Sequence, residues 1–270
     1  MTTPLHETLV GDHGPMIVFC HGLFGRGKNF SSIAKALQPD FRCLLLDMPD
    51  HGRSPWTEQF DYAGAAALVA EHLRGGVAAQ GPVHVVGHSM GGKIAMELAL
   101  VDPDLVDRLV VVDISPTGSG EVSEFEHLLT SLTRIDLGSL DSLGDADRAL
   151  AHDVPQPRLR GFLLQNLRRD RTTHAFRWEA NLDLLLRDLP TITGDIPHSD
   201  PEEGRSFDGP VLWIAGSESP YVTPEQAPQM RRLFPRTVQV TIKGANHWVH
   251  SQQPEAFTST LRHFLRAPQD

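Results

Sequence analysis

Short apolar runs alternate with stretches of helical periodicity along most of this 270-residue chain. Continuous apolar runs of strand length predict buried parallel strands, because a strand covered on both faces has no polar side. They lie at 16–20, 42–47, 83–86, 109–114, 210–215 and 238–242, and a shorter stretch at 5–10 is a candidate edge strand. Helical spacing occurs at 30–37, 63–79, 90–101, 224–234 and 254–265. This alternation predicts an α/β fold with a mostly parallel, doubly wound sheet.

The alternation stops between residues 115 and 208. This stretch has leucine-rich segments with helical spacing at 125–135, 158–167 and 182–189, and no convincing strand run. A long block without strands between two strands predicts an inserted helical cap, or lid. The predicted organisation is therefore a core formed by residues 1–114 and 209–270, with residues 115–208 as a helical cap inserted into it.

Composition and charge exclude several classes of partner. The formal net charge is −10, so nucleic acids and anionic membrane surfaces would be repelled, and small neutral molecules are favoured. No window approaches the roughly 18 apolar residues of a membrane span, which predicts no membrane span. The first residues lack the basic stretch of a secretory signal, so a cytoplasmic location is predicted. The 14 histidines have no metal-ligand spacing such as HExxH, and no metal is predicted.

A sharp turn between a predicted strand and a predicted helix carries the candidate nucleophile, Ser89. The sequence Gly-His-Ser-Met-Gly occupies positions 87–91, directly after the apolar run at 83–86. A tight turn flanked by glycines exposes the serine hydroxyl and leaves space for neighbouring chain and for substrate. Taken alone, these five residues also fit a glycine-rich loop with an idle serine, so the context has to decide.

The context supplies a candidate base and two candidate acids. A serine hydroxyl becomes nucleophilic when a histidine accepts its proton and an acid orients that histidine. His247 follows the last predicted strand, in the kind of loop where catalytic groups of open α/β sheets gather. Asp113 is the better candidate for the acid, because it ends the predicted strand that follows the nucleophile. Glu218 is the reserve, in a stretch with Ser219 where an aspartate is expected, and a structural role at the strand end is the alternative for Asp113.

Two backbone amides are predicted to stabilise the oxyanion that forms during acyl transfer. One belongs to Met90, directly after the serine, and the other to Leu23 in the glycine-flanked loop after the strand run at 16–20, with Phe24 as the alternative. Aromatic residues of the cap and of nearby loops are predicted to bind substrate, although each also fits a core position. They are Phe24, Phe125, Phe162, Trp178, Tyr221 and Trp248.

Five stretches of the chain resemble the α/β-hydrolase superfamily, and more closely small bacterial esterases related to the abhydrolase-11 proteins. They are His-Gly-Leu-Phe-Gly at 21–25, Asp-Met-Pro-Asp-His-Gly-Arg-Ser-Pro at 47–55, Gly-His-Ser-Met-Gly-Gly-Lys at 87–93, Asp-Ile-Ser-Pro at 113–116 and Gly-Ser-Glu-Ser-Pro-Tyr-Val at 216–222. The resemblance implies the α/β-hydrolase fold, carboxylesterase or thioesterase activity without a cofactor, and an acid at Asp113. The stretch at 47–55 resembles a structural turn of that superfamily.

The predicted function is therefore that of a serine carboxylesterase with a catalytic Ser89, His247 and Asp113. Its predicted partner is a small-molecule acyl ester or thioester of short to medium chain length, and the chain is expected to be a monomer or a homodimer. Two kinds of alternative stay open. The same three residues also serve perhydrolases, lactonases and carbon–carbon hydrolases, and some hydrolase-like folds are non-catalytic receptors.

Overall fold

A seven-stranded sheet forms the centre of the computed structural model, which describes residues 4–118, 122–200 and 204–266. Its strands are β1 (Glu7–Val10), β2 (Met16–Cys20), β3 (Arg42–Leu46), β4 (Val83–His88), β5 (Val106–Val112), β8 (Val211–Gly216) and β9 (Thr237–Ile242). Their order is β1-β3-β2-β4-β5-β8-β9, with β1 antiparallel to β3 and every other pair parallel. Every run predicted as a strand contributes to this sheet, so the mostly parallel α/β architecture is confirmed.

Helices cover both faces of the sheet. On one face lie α1 (Ser31–Ala36), α10 (Val249–Gln252) and α11 (Pro254–Arg266), and on the other α2 (Tyr62–Arg74), α3 (Met90–Val101) and α9 (Ala227–Leu233). Successive side chains of a strand point to opposite faces, so Val18 joins one apolar cluster and its neighbour Phe19 joins the other. This double burial explains why the strands read as continuous apolar runs.

The described residues between β5 and β8 include five helices and a hairpin. The helices are α4 (Val122–Thr133), α5 (Leu143–Leu150), α6 (Pro157–Leu164), α7 (Leu182–Arg187) and α8 (Leu189–Thr193). The hairpin is short and antiparallel, and it consists of β6 (Leu167–Arg169) and β7 (Phe176–Trp178). The prediction of a block without strands is therefore wrong at this hairpin, and the helix predicted over 158–167 ends at Leu164. Three-residue strands that pair only with each other leave no apolar run in the sequence.

The 115–208 segment packs on the α2 and α3 side of the sheet. The buried side chains of α4 and α7 belong to the same apolar cluster as α2 and α3. Hydrogen bonds add to this contact, because the Tyr62 hydroxyl donates to the carbonyl of Ile192 at 2.5 Å and the Asn181 amide donates to the carbonyl of Asp50 at 2.9 Å. Within the described ranges, no helix is both long enough and apolar enough to cross a bilayer.

Candidate active site

Ser89 lies in the sharp turn between β4, which ends at His88, and α3, which begins at Met90. Its backbone has a φ of 53° and a ψ of −124°, a conformation that side-chain-bearing residues rarely adopt. The turn requires a glycine at position 91, because a Cβ there would lie 2.3 Å from the carbonyl oxygen of Cys20. The amide of Ser89 donates to the carbonyl of Val112 at 3.1 Å, which holds the turn against β5.

The structure brings the three candidate relay residues together from three separate turns. Nε2 of His247 lies 3.0 Å from Oγ of Ser89, and Nδ1 lies 2.8 Å from Oδ2 of Asp113. An ionised carboxylate only accepts hydrogen bonds, so we assign the imidazole proton to Nδ1, which leaves Nε2 to accept from the serine hydroxyl. Ser89 and His247 are each 8% exposed and Asp113 is fully buried.

Asp113 follows β5 and is held by more than the histidine. Its Oδ1 accepts the backbone amide of Gly216 at 2.9 Å, and its Oδ2 accepts the hydroxyl of Ser219. Ser219 is the position where an aspartate was expected, so a hydroxyl donor here supports a carboxylate that comes from another strand. Glu218 is exposed, and its side chain has no hydrogen bond to His247 within the described part of the chain. The geometry therefore favours Asp113 over Glu218 as the partner of the imidazole.

Two further histidines lie beside the relay, with His88 packed against His247 and His250 packed against His88. The rings of His88 and His247 have centroids 4.8 Å apart, as do those of His88 and His250, and Nε2 of His88 donates to the carbonyl of His247 at 2.8 Å. Burial lowers the pKa of His88 well below its ordinary value, and the neighbouring His247 lowers it further. Burial likewise lowers the pKa of His250 to about 4. Both supporting rings are therefore neutral near pH 7, and neither repels a proton on His247.

The loop that joins β2 to α1, residues 21–30 and hereafter the β2–α1 loop, passes directly beside Ser89. A Cβ at Gly22 would lie 2.9 Å from Cβ of Ser89, so this approach requires glycine. The amide of Gly25 donates to the carbonyl of Gly22 at 2.9 Å and closes a turn in which Phe24 has a φ of 62°. The amide of Phe24 donates to Nε2 of His51 at 3.3 Å, so Phe24 is wrong as the alternative oxyanion donor.

The amides of Leu23 and Met90 are the two predicted oxyanion donors. Among the residues that the structure describes, neither amide donates a hydrogen bond. Met90 is the first residue of α3, and the first amides of a helix have no partner inside it. Both residues line a small cleft beside Ser89. The arrangement therefore leaves two backbone donors available next to the candidate nucleophile.

A cavity of about 230 Å³ opens onto Ser89 and His247. Five of the six aromatic residues predicted to bind substrate line it, namely Phe24, Phe125, Phe162, Tyr221 and Trp248. Trp178 does not, and that prediction is corrected. It pairs with Leu167 in the β6–β7 hairpin, and its side chain packs against the apolar core instead. Glu124 and Glu218 also line the cavity. In the described ranges, no group of three or more His, Cys, Asp or Glu side chains is arranged to hold a metal ion.

Two side chains that hold the β2–α1 loop were not predicted. His51 accepts a hydrogen bond from the amide of Phe24. Nδ2 of Asn166 donates to the carbonyl of Phe24 at 2.8 Å. The stretch at 47–55 was identified as a structural turn, so a signal for a buried histidine beside the loop was present. Asn166 lies 142 residues from Phe24 in the sequence, in a region without a clear helix or strand pattern. No sequence signal connects the two residues.

The fold and this site define a class, which comparison with known proteins establishes. The sequence model of the alpha/beta hydrolase fold family matches residues 15–254, and the chain belongs to that family. The resemblance predicted from the motifs is therefore confirmed.

Individual relatives narrow the group. The chain is 38% identical over 259 residues to the sn-1-specific diacylglycerol lipase ABHD11 of Mus musculus, covering 93% of this chain and 81% of the relative. It is 28% identical over 249 residues to esterase YbfF of Escherichia coli K12, covering 92% of each chain. A solved structure of a marine microorganism esterase has a TM-score of 0.91 at 32% identity and covers 97% of this chain and 99% of its own. These relatives support a hydrolase related to abhydrolase-11 proteins, in a group named as esterases and lipases.

Proposed function

We propose that the protein is a serine carboxylesterase that works through an acyl-enzyme. The observation that carries this proposal is the hydrogen-bonded series from Ser89 through His247 to Asp113, at 3.0 and 2.8 Å, beside a cavity. In the first step, Oγ of Ser89 attacks the acyl carbonyl while Nε2 of His247 accepts the hydroxyl proton. Asp113 stabilises the imidazolium that results, and the amides of Leu23 and Met90 stabilise the oxyanion.

Collapse of the tetrahedral intermediate completes the first half of the reaction. The ester bond breaks, His247 returns its proton to the leaving alcohol or thiol, and the acyl group stays on Ser89. In the second half, His247 takes a proton from water as the water oxygen attacks the acyl carbonyl. The bond between the acyl carbon and Oγ of Ser89 then breaks, His247 returns the proton to Oγ, and the carboxylic acid leaves. The neutral state of His88 and His250 supports this cycle, because no second positive charge opposes the imidazolium.

The cavity supports an uncharged substrate with a short to medium acyl chain. Its volume of about 230 Å³ lies below the roughly 300–1,000 Å³ of pockets that hold drug-sized ligands. The aromatic pair Phe162 and Trp248, with ring centroids 6.0 Å apart, forms part of an apolar wall. The carboxylates of Glu124 and Glu218 disfavour anionic groups at the same cavity. Relatives named as a diacylglycerol lipase and as esterases also support an uncharged ester.

We further propose that residues 115–208 act as a cap on a core formed by residues 1–114 and 209–270. Phe125 in α4 and Phe162 in α6 line one side of the cavity, whereas Leu23 and Trp248 line it from core loops. A cavity with walls from both parts is the expected arrangement when a cap selects the acyl group.

Substitution of the nucleophile tests this function. Ser89→Ala should lower kcat by up to about a millionfold on p-nitrophenyl esters, since loss of the nucleophile disables the whole relay. It should also abolish labelling by a fluorophosphonate. A matched control is Ser131→Ala, because Ser131 is a buried serine whose hydroxyl donates to the carbonyl of His127 at 2.8 Å, within its own helix. Full activity of Ser89→Ala would refute the proposal, and a panel of p-nitrophenyl esters and matched thioesters would define the substrate class.

A further inference from the structure

The β2–α1 loop is fastened to the 115–208 segment at the residue whose backbone is strained. The carbonyl of Phe24 accepts Nδ2 of Asn166 at 2.8 Å and Nε2 of Gln165 at 3.1 Å. On the other side of the same residue, the amide of Phe24 donates to His51 at 3.3 Å. A non-glycine residue at a φ of 62° is strained and persists only where its surroundings hold it. These side chains provide that hold.

A second set of contacts fastens the end of the same loop. Arg26 is 5% exposed and forms an ion pair with Glu179, and its Nη1 also donates to the carbonyl of Gln165 at 3.4 Å. Nδ2 of Asn29 donates to Oε1 of Gln165 at 2.9 Å. The loop beside Ser89 is thus attached to the 115–208 segment at three successive positions along its length.

Asn166 has a cost that packing alone does not explain. Its side chain is fully buried, and its Oδ1 has no hydrogen-bond donor among the described residues. An unsatisfied buried polar atom destabilises the folded protein, whereas leucine has a similar shape and would avoid this cost. The amide group of Asn166 is used only through Nδ2, which donates to Phe24 and, at 3.2 Å, to the carbonyl of Leu163. The hydrogen bond to the β2–α1 loop therefore accounts for an asparagine, rather than a leucine, at position 166.

A chain of hydrogen bonds leads from Asn166 to the amide of Leu23. Nδ2 of Asn166 donates to the carbonyl of Phe24, which belongs to the same peptide group as the amide of Gly25. That amide donates to the carbonyl of Gly22 at 2.9 Å, which belongs to the same peptide group as the amide of Leu23. Each donor in such a chain orients the next peptide and polarises it, by an estimated 10–30% per bond.

We propose that Asn166, assisted by Gln165, is a positioning residue for the oxyanion hole, an inference that rests on the proposed serine mechanism. Through two peptide groups, Asn166 orients and polarises the amide of Leu23 toward the oxyanion beside Ser89. The 115–208 segment therefore contributes to transition-state stabilisation in addition to lining the cavity. Complete removal of one oxyanion donor costs about 10²–10³ in kcat. Since the Leu23 amide remains and Gln165 still donates to the same carbonyl, loss of the Asn166 donor should lower kcat by about tenfold, well short of complete removal.

The test compares Asn166→Leu with a matched control, Asn181→Leu. Asn181 lies in the same segment, and its Nδ2 also bonds to a core loop, at 3.0 Å from Oδ1 of Asp50. Within the described residues, its side chain has no hydrogen bond to the β2–α1 loop. For Asn166→Leu we expect a lower kcat with a nearly unchanged KM on p-nitrophenyl butyrate. The affinity for a trifluoromethyl ketone, which forms an oxyanion with Ser89, should fall by a similar factor. Asn181→Leu should change kcat and the ketone affinity by no more than a few-fold. The comparison requires that the two variants have similar thermal midpoints.

A structural role would give a different result. If Asn166→Leu lowers only the thermal midpoint, while kcat and ketone affinity match those of Asn181→Leu, the positioning role is refuted. If Asn166→Leu does not fold, Gln165→Met decides, because Gln165 is only half-buried and its loss removes one donor to Phe24. A smaller, parallel fall in kcat and ketone affinity supports the proposal, and unchanged values overturn it. An active Ser89→Ala would instead refute the serine mechanism itself.

Discussion

Replacement of Asp113 by asparagine tests the electrostatic design of the site. Asp113 accepts hydrogen bonds from His247, Gly216 and Ser219 and is fully buried. Asparagine has the same shape and keeps an oxygen for the Gly216 amide. Its NH₂ group, however, would face Nδ1 of His247, which must then accept a hydrogen bond. The imidazole proton moves to Nε2, and Nε2 no longer accepts the proton of Ser89.

The size of the expected loss follows from this change of tautomer. The corresponding substitution in an unrelated serine protease lowers kcat by about 10⁴, which converts to about 5.4 kcal/mol of transition-state stabilisation. Glu218→Gln is the matched control, because Glu218 also lines the cavity but its exposed side chain has no hydrogen bond to His247 in the described structure. A surface charge contributes about 0–1 kcal/mol, so its loss should change kcat by less than about fivefold.

The assay is p-nitrophenyl butyrate hydrolysis by both variants and the wild type, at equal concentrations of folded protein judged by circular dichroism. We expect Asp113→Asn to retain about one part in 10⁴ of the wild-type kcat. An Asp113→Asn protein within tenfold of the wild type would refute the assignment of Asp113 as the partner of His247. A greater loss in Glu218→Gln than in Asp113→Asn would transfer that role to Glu218.

Three further predictions concern the relay, the buried lysine and the cavity. The double variant Asp113→Ala/Ser219→Asp should have a kcat at least about tenfold higher than that of Asp113→Ala, because it places a carboxylate at the residue that bonds to Asp113 in the wild type. No recovery would show that a carboxylate at position 219 cannot orient His247. Burial lowers the pKa of Lys93 from 10.5 to about 8, so the unfolded chain binds more protons between these values. The free energy of unfolding should therefore rise between pH 7.5 and 9.5, by up to about 2 kcal/mol more in the wild type than in Lys93→Met. Urea titrations that give both proteins the same pH dependence would contradict this. Phe162→Ala should enlarge the cavity beside Trp248 and shift the preferred p-nitrophenyl ester to a longer acyl chain, and an unchanged preference would remove Phe162 from the acyl site.

The parts of the fold that the sequence predicts are those with a strong local signal. The central strands β2, β4, β5 and β8 are buried almost completely on both faces, so they read as continuous apolar runs. Ser89 and Asp113 follow β4 and β5 directly, and His247 lies in the loop after β9. Residues that follow parallel strands meet at one edge of the sheet, and for this reason positions far apart in the chain converge. Two carboxylates, Asp113 and Glu218, were candidates for the acid. The hydrogen bond between His247 and Asp113 favours Asp113.

The remaining features depend on contacts that leave no local pattern. Helical spacing does not tell which side of a cap helix faces the cavity and which faces the core, and Trp178 was assigned to the cavity for that reason. It belongs to a three-residue strand that pairs within its own hairpin. The bond from Asn166 to Phe24 joins residues 142 positions apart, and asparagine is common in polar loops, so nothing in the sequence distinguishes this one.

Trapping of the covalent intermediate tests the central claim most directly. The protein is mixed with p-nitrophenyl butyrate, quenched in acid during turnover, and analysed by intact-protein and peptide mass spectrometry. We expect a butyryl adduct on the peptide that contains Ser89 and no adduct in Ser89→Ala. The adduct should accumulate further at low pH, where deacylation is slow. An adduct on a different residue, or undiminished turnover by Ser89→Ala, would contradict the proposed mechanism.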